Sequence, residues 1–356
     1  MPPHPHRPPT LAWQVFRGSA VTQQGLITRH QLRGSSWVRL RHDVYADARL
    51  ERNHELACRA AALRLPPHSL IAGPSSAYLH GIEHAAGFDD DVHVLVPKAA
   101  RVDSRPGLQV HVIGPDSAAT PPLAPTGPQT PVPVRATPDT RPTIPINTRP
   151  SARPSVPVNT RPGAGPPAPV NVRPGARPDE AALRRTNPAS AAWETAVWLA
   201  PLRAVGIVDS LLAGGLTSRA ALTAVATANV DRPGGRRACW IFDLADPGAQ
   251  SPPESQLRVR LVMGGLPRPV TQHPIRLPGG LVGHPDLTWP EFRVAVEYDG
   301  QRHADPEQLH LDRRRLNLLV GAGWLVLHVT GRRLHEEFPA VLNEVRSALI
   351  SRGWRR

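Results

Sequence analysis

Acidic side chains with strand spacing lie near the C-terminal end of the chain. Asp286 follows a His-Pro pair, while Glu297 and Asp299 lie in the segment Val294–Gly300, where apolar residues alternate with other types. This alternation predicts a β-strand, and side chains two residues apart on a strand point to the same face. We therefore expect Glu297 and Asp299 to share one face of a sheet.

The segment before this strand brings a third carboxylate toward the same place. Asp286 and Thr288 alternate in the same way, and Pro290 suits a turn between the two segments. A hairpin with an even number of loop residues puts Asp286 beside Ala295, on the face that carries Glu297. The pattern therefore predicts a patch of three carboxylates.

Crowded carboxylates repel each other, which raises their pKa values unless a cation lies between them. Carboxylate oxygens favour a hard divalent ion such as Mg²⁺ or Mn²⁺. Such an ion can bind a phosphate oxygen and generate a hydroxide nucleophile. These residue types therefore predict a divalent metal site at the carboxylate patch, with a phosphate group as a possible ligand.

The same region resembles the very-short-patch-repair-like endonuclease domains of the PD-(D/E)XK nuclease superfamily. The resemblance covers residues 251–356 and implies a metal-dependent DNA endonuclease that acts in DNA repair or phage defence. The fold it implies is α/β, a restriction-endonuclease-like mixed sheet flanked by helices. The matching residues, in chain order, are Glu254, Pro285-Asp286, Glu297-Tyr298-Asp299-Gly300, His303, Asp312, Arg315 and Gly323-Trp324.

The resemblance also implies roles for the individual residues. Asp286 and Glu297 would hold the metal, His303 or Asp299 would help to deprotonate the attacking water, and Arg315 would stabilise charge on the phosphate. Asp299 stands where the motif has lysine, and the chain's one lysine is the distant Lys98. Short-patch-repair-like members also lack that lysine and use other groups, histidine among them.

Several of these residues also have structural interpretations. Ser251 and Glu254 have the spacing of a capping box, so Glu254 could cap a helix, support the metal, or do both. Asp312 and Arg315 are spaced to form an ion pair on one helix face. His303 could be an ordinary surface histidine, and Gln272 could orient a water molecule.

Composition limits the class of protein. The chain has 356 residues, 43 of them proline, and a net charge of +13. Residues 131–178 contain seven Arg against one acidic residue, so nearly half of the excess lies there. The charge fits an anionic partner such as nucleic acid. Cys58 and Cys239 are too few for a disulfide framework, which favours a cytoplasmic location, and neither a signal peptide nor a membrane span is predicted.

The front of the chain has the pattern of a helix followed by a hairpin. A short helix is predicted at 26–32 with Thr28 as its N-cap, and strands are predicted at Trp37–Leu40 and Val44–Ala46. A helix followed by a hairpin is typical of the end of a winged-helix unit. This pattern, together with the run Ala77-Tyr78-Leu79-His80-Gly81 before the valine-rich segment Val92–Val96, resembles the AbiEi-type antitoxins of abortive-infection systems.

The remaining segments complete the predicted organisation. Further elements are helices at 51–65, 75–81, 191–199, 204–213 and 218–227, and a strand at 108–113. His80, His84, His93 and His111 match no metal-ligand spacing. A unit Pro-(Ile/Val)-Asn-(Thr/Val)-Arg-Pro begins at Pro145, Pro157 and Pro169 and predicts an extended, disordered linker. The predicted domains are a disordered tail at 1–12, an antitoxin-like winged-helix and α+β region at 13–114, the linker at 115–180, a helical connector at 181–250 and the endonuclease-like domain at 251–356.

The nuclease domain is predicted in more detail. Its elements are a helix from about Pro252, strands near Thr271–Leu277, Gly283–Trp289, Arg293–Tyr298 and Trp324–Val329, and helices from about Pro306 to Val320 and from about Pro339.

The main functional prediction is an Mg²⁺- or Mn²⁺-dependent endonuclease acting on double-stranded or damaged DNA. The alternative is a non-catalytic, antitoxin-like transcriptional regulator that binds DNA and retains a nuclease-like fold. A third interpretation, a protein–protein scaffold, rests on the proline repeat alone. The sequence leaves the oligomeric state open.

Overall fold

The computed structural model describes residues 7–113, 183–277, 282–300 and 306–355, with side chains described except at Ile113 and at 306–313. Met1–Pro125 and Leu183–Arg356 belong to one compact unit, which contains all of the described residues. The predicted linker lies outside them. Within the described part of the chain, no helix is long and apolar enough to cross a membrane.

The first sheet is small and antiparallel. The strands predicted at Trp37–Leu40 and Val44–Ala46 are confirmed, and a third strand, which was not predicted, completes the sheet in the order β1-β3-β2. Its elements are β1 (Val15–Arg17), α1 (Gly18–Gln23), β2 (Trp37–Arg41) and β3 (Val44–Asp47).

The helix predicted at 26–32 is reduced to a 3-10 turn at Gln31–Arg33. The N-cap of this turn is His30 and not the predicted Thr28, but Thr28 still contacts the turn: its hydroxyl accepts from the amide of Gln31 at 3.2 Å while the Gln31 side chain accepts from the amide of Thr28 at 2.7 Å. Ile27 and Leu32 are buried in the small core under the sheet. Burial of these two side chains therefore fixes a compact loop in place of a regular helix.

Residues 7–12 differ from the disordered tail that we expected. Pro9–Leu11 form a 3-10 turn, and Leu11 is buried in the same small core. Arg7 lies 3.5 Å from the buried carboxylate of Asp47. These contacts join the start of the described chain to β3.

A second sheet has the order β4-β5-β6, with β4 antiparallel and β6 parallel to β5. Val92, Val94 and Val96 are buried against α2, which explains the valine-rich alternation of β5. Gly81 follows α3 with φ +100, as expected for a glycine that ends a helix. The elements are α2 (His54–Ala62), β4 (Leu70–Ile71), α3 (Gly73–Leu79), β5 (Val92–Pro97) and β6 (Leu108–Ile113).

Four helices follow and pack around the largest apolar core. Three of them confirm the predicted helical segments. The fourth was not predicted: it begins at Gly235 in a Gly-Gly-Arg-Arg segment, which is a composition typical of loops. The helices are α4 (Pro188–Trp198), α5 (Pro201–Ala213), α6 (Arg219–Ala228) and α7 (Gly235–Leu244).

A buried carboxylate joins this helical layer to the front of the chain. The Glu194 carboxylate on α4 accepts a hydrogen bond from the Gly73 amide at 2.6 Å and another from the Thr186 hydroxyl at 2.9 Å. Burial raises the pKa of Glu194 to about 8. The Gly73 amide lies at the first turn of α3, so the contact satisfies one of the free N–H groups at that helix end.

The C-terminal part contains a four-stranded mixed sheet in the order β12-β11-β10-β7 and a separate hairpin, β8–β9. The predicted order of helices and strands is confirmed, except that each of the first two predicted strands is split and a short helix follows β12. The elements are α8 (Pro252–Met263), β7 (Val270–Thr271), β8 (Ile275–Arg276), β9 (Val282–Gly283), β10 (Leu287–Trp289), β11 (Val294–Asp299), α9 (Pro306–Gly321), β12 (Leu325–Thr330), α10 (Gly331–Glu336) and α11 (Phe338–Ser351).

The two faces of this sheet contact different helices. Leu287, Trp289, Val294 and Val296 face a core that α8 and α11 complete. On the other side, Leu319 of α9 belongs to a second apolar cluster with the β8–β9 hairpin. The described chain is thus a mixed α/β protein with several small sheets, two of which combine parallel and antiparallel pairs.

A buried ion pair connects the helical layer to the C-terminal part. Arg258 of α8 and Asp209 of α5 lie 2.7 Å apart, and each side chain is 1% exposed. Asp209 also accepts from the Ser255 hydroxyl at 2.7 Å and from the Asp246 amide at 2.6 Å. The charges are therefore paired and hydrogen-bonded, as buried charges must be.

We predict that Arg258→Met destabilises the protein strongly. Asp209 would remain buried without its counter-charge, which costs about 3–5 kcal/mol in comparable cases. Arg332→Met is a matched control, because Arg332 also pairs with a carboxylate, that of Glu336, but the two side chains are 75% and 66% exposed. Such pairs contribute about 0.5 kcal/mol or less. Equal shifts of the urea unfolding midpoint for the two variants would contradict this prediction.

Candidate functional site

The register of the β10–β11 hairpin determines where the acidic side chains lie. Leu287 pairs with Val296 and Thr288 with Ala295, so the next position outward places Asp286 opposite Glu297. Opposite residues of an antiparallel pair have side chains on the same face. The hairpin therefore brings these two carboxylates side by side on one face.

The predicted register, with Asp286 beside Ala295, is wrong by two residues. The turn begins with a 3-10 segment at Pro290–Phe292 and is completed by Arg293, which has a left-handed conformation with φ 50. The turn therefore takes up four residues before β11 begins. The shift leaves Asp286 on the predicted face but moves it directly opposite Glu297.

Asp286 is held by two hydrogen bonds. One carboxylate oxygen accepts from the Tyr298 amide at 2.8 Å, and the other accepts from the Gln272 side-chain amide at 3.2 Å. Gln272 itself has φ 49, an uncommon conformation for a residue other than glycine. Burial raises the pKa of Asp286, the two hydrogen bonds oppose the rise, and the charge of Asp299 adds to it.

Glu297 is paired with the helix that covers this face. Its carboxylate lies 2.9 Å from the guanidinium of Arg315 on α9, and its side chain is 19% exposed. Burial raises the pKa of Glu297; Arg315 and His328 oppose the rise, whereas Asp286 and Asp299 add to it. The negative charge of Glu297 is therefore repelled by Asp286 and Asp299 and attracted by Arg315.

Asp299 lies further along β11 and is half exposed. Its carboxylate is 3.1 Å from Nδ1 of His328 on β12. The strands are parallel, with Glu297 beside His328 and Asp299 beside Thr330. Among the described residues, Nε2 of His328 is buried and has no hydrogen-bond partner. The histidine therefore joins the acidic face from a third strand.

Glu254 is the capping-box partner of Ser251, the N-cap of α8, and also a neighbour of the acidic face. The Ser251 hydroxyl accepts from its amide at 3.4 Å and donates to its carboxylate at 2.8 Å, and the Gln250 amide donates to the second carboxylate oxygen at 2.8 Å. Burial raises the pKa of Glu254, and the charge of Asp286 raises it further. Both predicted roles are thus compatible with its position.

The predicted site residues are placed as follows. The structure brings together Asp286, Glu297, Asp299 and Arg315, and Glu254 lies near enough for its charge to interact with that of Asp286. His303 lies outside the described residues, and the side chain of Asp312 is not described. Gln272, predicted to orient water, contacts Asp286 instead.

His328 was missed by the sequence analysis. The sequence offered one signal for it: His328 is a polar residue in the middle of the apolar strand Leu325–Thr330, where a histidine is unusual unless it has a partner. What the sequence could not supply was the parallel pairing of β11 and β12, which places His328 next to Glu297.

The metal prediction rests on a pair of carboxylates. In the described part of the chain, no group of three or more His, Cys, Asp or Glu side chains is arranged to hold a metal ion. Asp286, directly before β10, and Glu297 on β11 offer hard oxygen donors, and their pKa values are raised by burial and by nearby carboxylates. This donor set fits a hard cation that would offset their charge.

Part of the chain is similar to two other proteins. Two uncharacterised proteins, from two strains of Mycobacterium tuberculosis, are each 32% identical to this chain over 145 residues. The match covers 40% of this chain and 54% of each relative, so the chain spans about half the length of the curated relatives it matches. No family model and no solved structure matches the chain.

We predict that Asp286→Asn stabilises the protein near neutral pH in metal-free buffer. The raised pKa means that ionising Asp286 is less favourable in the folded than in the unfolded state, so wild-type stability is lost as pH rises above the unfolded-state pKa of about 3.9. Asparagine removes this loss and can still accept from the Tyr298 amide. The gain should therefore shrink as the pH falls toward about 4.

Asp43→Asn is the matched control, for which we expect the opposite change in stability near neutral pH. The hydrogen bond from the Ser19 hydroxyl holds the pKa of Asp43 below its usual range, so ionised Asp43 stabilises the protein above the unfolded-state pKa. This variant should lose stability near neutral pH. Urea unfolding of both variants from about pH 4 to neutral pH measures the two changes in stability. A loss of stability near neutral pH for Asp286→Asn would contradict a raised pKa at Asp286.

Proposed function

We propose that the protein is a metal-dependent endonuclease that hydrolyses phosphodiester bonds in DNA. The observation that carries the proposal is that Asp286, one residue before the paired Leu287 and Val296, lies near enough to Glu297 for the two charges to interact, with Arg315 in contact with Glu297. Two acidic groups and a guanidinium on one face combine ligands for a hard cation with a group that can neutralise a phosphate. The mixed sheet with helices on both faces also supports the proposed restriction-endonuclease-like fold.

The proposed metal ligands are Asp286 and Glu297, with Mg²⁺ or Mn²⁺ as the ion. When bound, such an ion polarises a phosphate oxygen and makes water more acidic. The Tyr298 amide and the Gln272 side chain would fix the orientation of Asp286, because each donates to a different carboxylate oxygen. Replacement of Gln272 would therefore disturb the orientation of Asp286 as a metal ligand.

Arg315 is proposed to stabilise the negative charge that develops on the phosphate. Its side chain is 36% exposed, so it can reach solvent while it contacts Glu297. A guanidinium carries its positive charge at every pH of interest and forms paired hydrogen bonds to phosphate oxygens. A phosphate bound on this face would therefore give Arg315 a second anionic partner.

Asp299 is proposed to accept the proton of the attacking water. It is the half-exposed carboxylate of the face, and His328 contacts it at 3.1 Å on the side of β12. The histidine would orient the carboxylate, since it donates through Nδ1 when that nitrogen is protonated. His303, outside the described residues, is the other proposed proton acceptor.

DNA as the substrate is supported by charge and by the resemblance of residues 251–356 to short-patch-repair-like endonucleases. The net charge of +13 favours a polyanionic partner. Mismatched, nicked and intact duplexes are all candidate substrates.

We predict that full-length protein cleaves duplex DNA in Mg²⁺ or Mn²⁺, and that Asp286→Asn lowers the rate by about 100-fold or more, because even substitutions behind metal ligands cost 10–100-fold. Glu291→Gln is the control, since Glu291 is an exposed acid in the same hairpin. The measurement is the rate of cleavage on gels for intact, nicked and mismatched duplexes. Equal rates for wild type and Asp286→Asn, or no cleavage under any condition, would remove the catalytic proposal.

The alternative function is a non-catalytic, antitoxin-like regulator that binds DNA. The β2–β3 hairpin, with the exposed Arg39 and the partly buried Arg41 on β2, supports this alternative. A gel mobility shift that is unaffected by Mg²⁺ and by Asp286→Asn, but lost when residues 1–114 are removed, is expected for the regulator. Metal-dependent cleavage is expected for the endonuclease.

A further inference from the structure

A cleft far along the chain from the acidic face is lined by basic and apolar side chains. It lies between the end of β2, helix α2 and the loop before β6, and has a volume of about 370 Å³. Arg41, Arg64 and Arg105 line it together with the apolar side chains of Leu40 and Phe88. Its volume is within the range of small-molecule sites, roughly 300–1,000 Å³.

Arg41 holds its guanidinium inside this cleft. It extends from β2 and donates to the Gly107 carbonyl at 2.5 Å. Gly107 has φ +80, and a Cβ at this position would lie 3.1 Å from Arg41 Nη1, so a glycine permits this close approach. Burial lowers the pKa of Arg41, the positive charge of Arg105 lowers it further, and the negative charge of Asp91 opposes this fall.

Arg105 adds a second positive charge close to the first. Within the described part of the chain, its side chain forms neither a hydrogen bond nor an ion pair. Arg64 supplies a third positive charge, and its guanidinium donates to the His42 carbonyl at 3.1 Å. Guanidinium groups that repel each other in a concave, partly apolar site are stabilised by an anion bound between them.

Two of the three carboxylates near the cleft, those of Asp90 and Asp91, accept hydrogen bonds from backbone amides. Asp91 accepts from the Gly107 amide at 2.7 Å, and Asp90 accepts from the Gly87 amide at 2.9 Å while lying 3.4 Å from Arg203. Asp89, which is exposed, is the other acid on the cleft lining. The three lining arginines therefore outnumber the acidic groups that line the cleft.

We propose that this cleft binds a phosphate group through Arg41 and Arg105. A phosphate offers several oxygens to paired guanidinium N–H groups, which a single carboxylate does not. The volume exceeds what a phosphate alone needs, and Leu40 and Phe88 provide apolar surface for the rest of the ligand. The ligand class is a phosphorylated molecule of the size of a nucleoside monophosphate, or a nucleotide unit of DNA. The proposal is independent of the endonuclease proposal, which concerns residues 254–328.

The test is calorimetric titration of the full-length protein with deoxyadenosine 5′-monophosphate, inorganic phosphate and a short DNA duplex, in metal-free buffer. Deoxyadenosine, which lacks the phosphate, is the ligand control. Arg105→Gln is the informative variant, because Arg105 is exposed and its replacement breaks no described contact. Arg101→Gln is its match, since it removes one exposed arginine from the same loop region outside the cleft lining.

We expect Arg105→Gln to weaken binding of a phosphate-bearing probe by at least about tenfold, as for the loss of a hydrogen bond to a charged group. Arg101→Gln should leave binding unchanged. If the monophosphate binds and Arg105→Gln weakens that binding, the ligand is a small phosphorylated molecule. If only the duplex binds in this Arg105-dependent way, the ligand is a phosphate of the DNA backbone. The proposal is overturned if deoxyadenosine binds as well as its monophosphate, if the two variants behave alike, or if no phosphate-bearing probe binds.

Discussion

The register of one short hairpin is the constraint on which the candidate active site depends. Trp289 is 1% exposed, and its indole N–H donates to the Pro267 carbonyl at 2.8 Å. A slip by one residue would move the buried side chains of β10 and β11 to the wrong face. Packing on the apolar face therefore forces Asp286 and Glu297 together on the other. The repulsion that results is a cost imposed by the fold, and the guanidinium of Arg315, in contact with Glu297, offsets part of it.

The other buried polar contacts explain why the parts of the described chain form one unit. Glu194 links the helical layer to the first turn of α3, and the Arg258–Asp209 pair links it to α8. Each contact crosses between elements far apart in the sequence. The helical layer thus packs against both the front of the chain and α8, and helps to place Glu254 in the first turn of α8 beside the acidic face.

Local pattern was enough to predict most elements, and long-range pairing accounts for much of what was missed. The alternation of Val294–Asp299 predicts both its strand and the shared face of Glu297 and Asp299. The position of Asp286 was predicted on the correct face but in the wrong register, because the length of the turn depends on the left-handed conformation of Arg293. The position of His328 beside Glu297 depends on the parallel pairing of β11 with β12, which no local sequence pattern predicts. The helix at Gly235–Leu244 was hidden by a Gly-Gly-Arg-Arg segment, and the predicted helix at 26–32 gave way to burial of Ile27 and Leu32.

The central claim is that Asp286 and Glu297 together hold one divalent ion. The most direct measurement is titration of the metal-free protein with Mn²⁺, followed by the loss of the free-ion signal in electron paramagnetic resonance, for wild type, Glu297→Gln and Glu336→Gln. The account predicts a site in wild type and in the exposed control Glu336→Gln that is lost or greatly weakened in Glu297→Gln. Identical Mn²⁺ binding by all three proteins would contradict it.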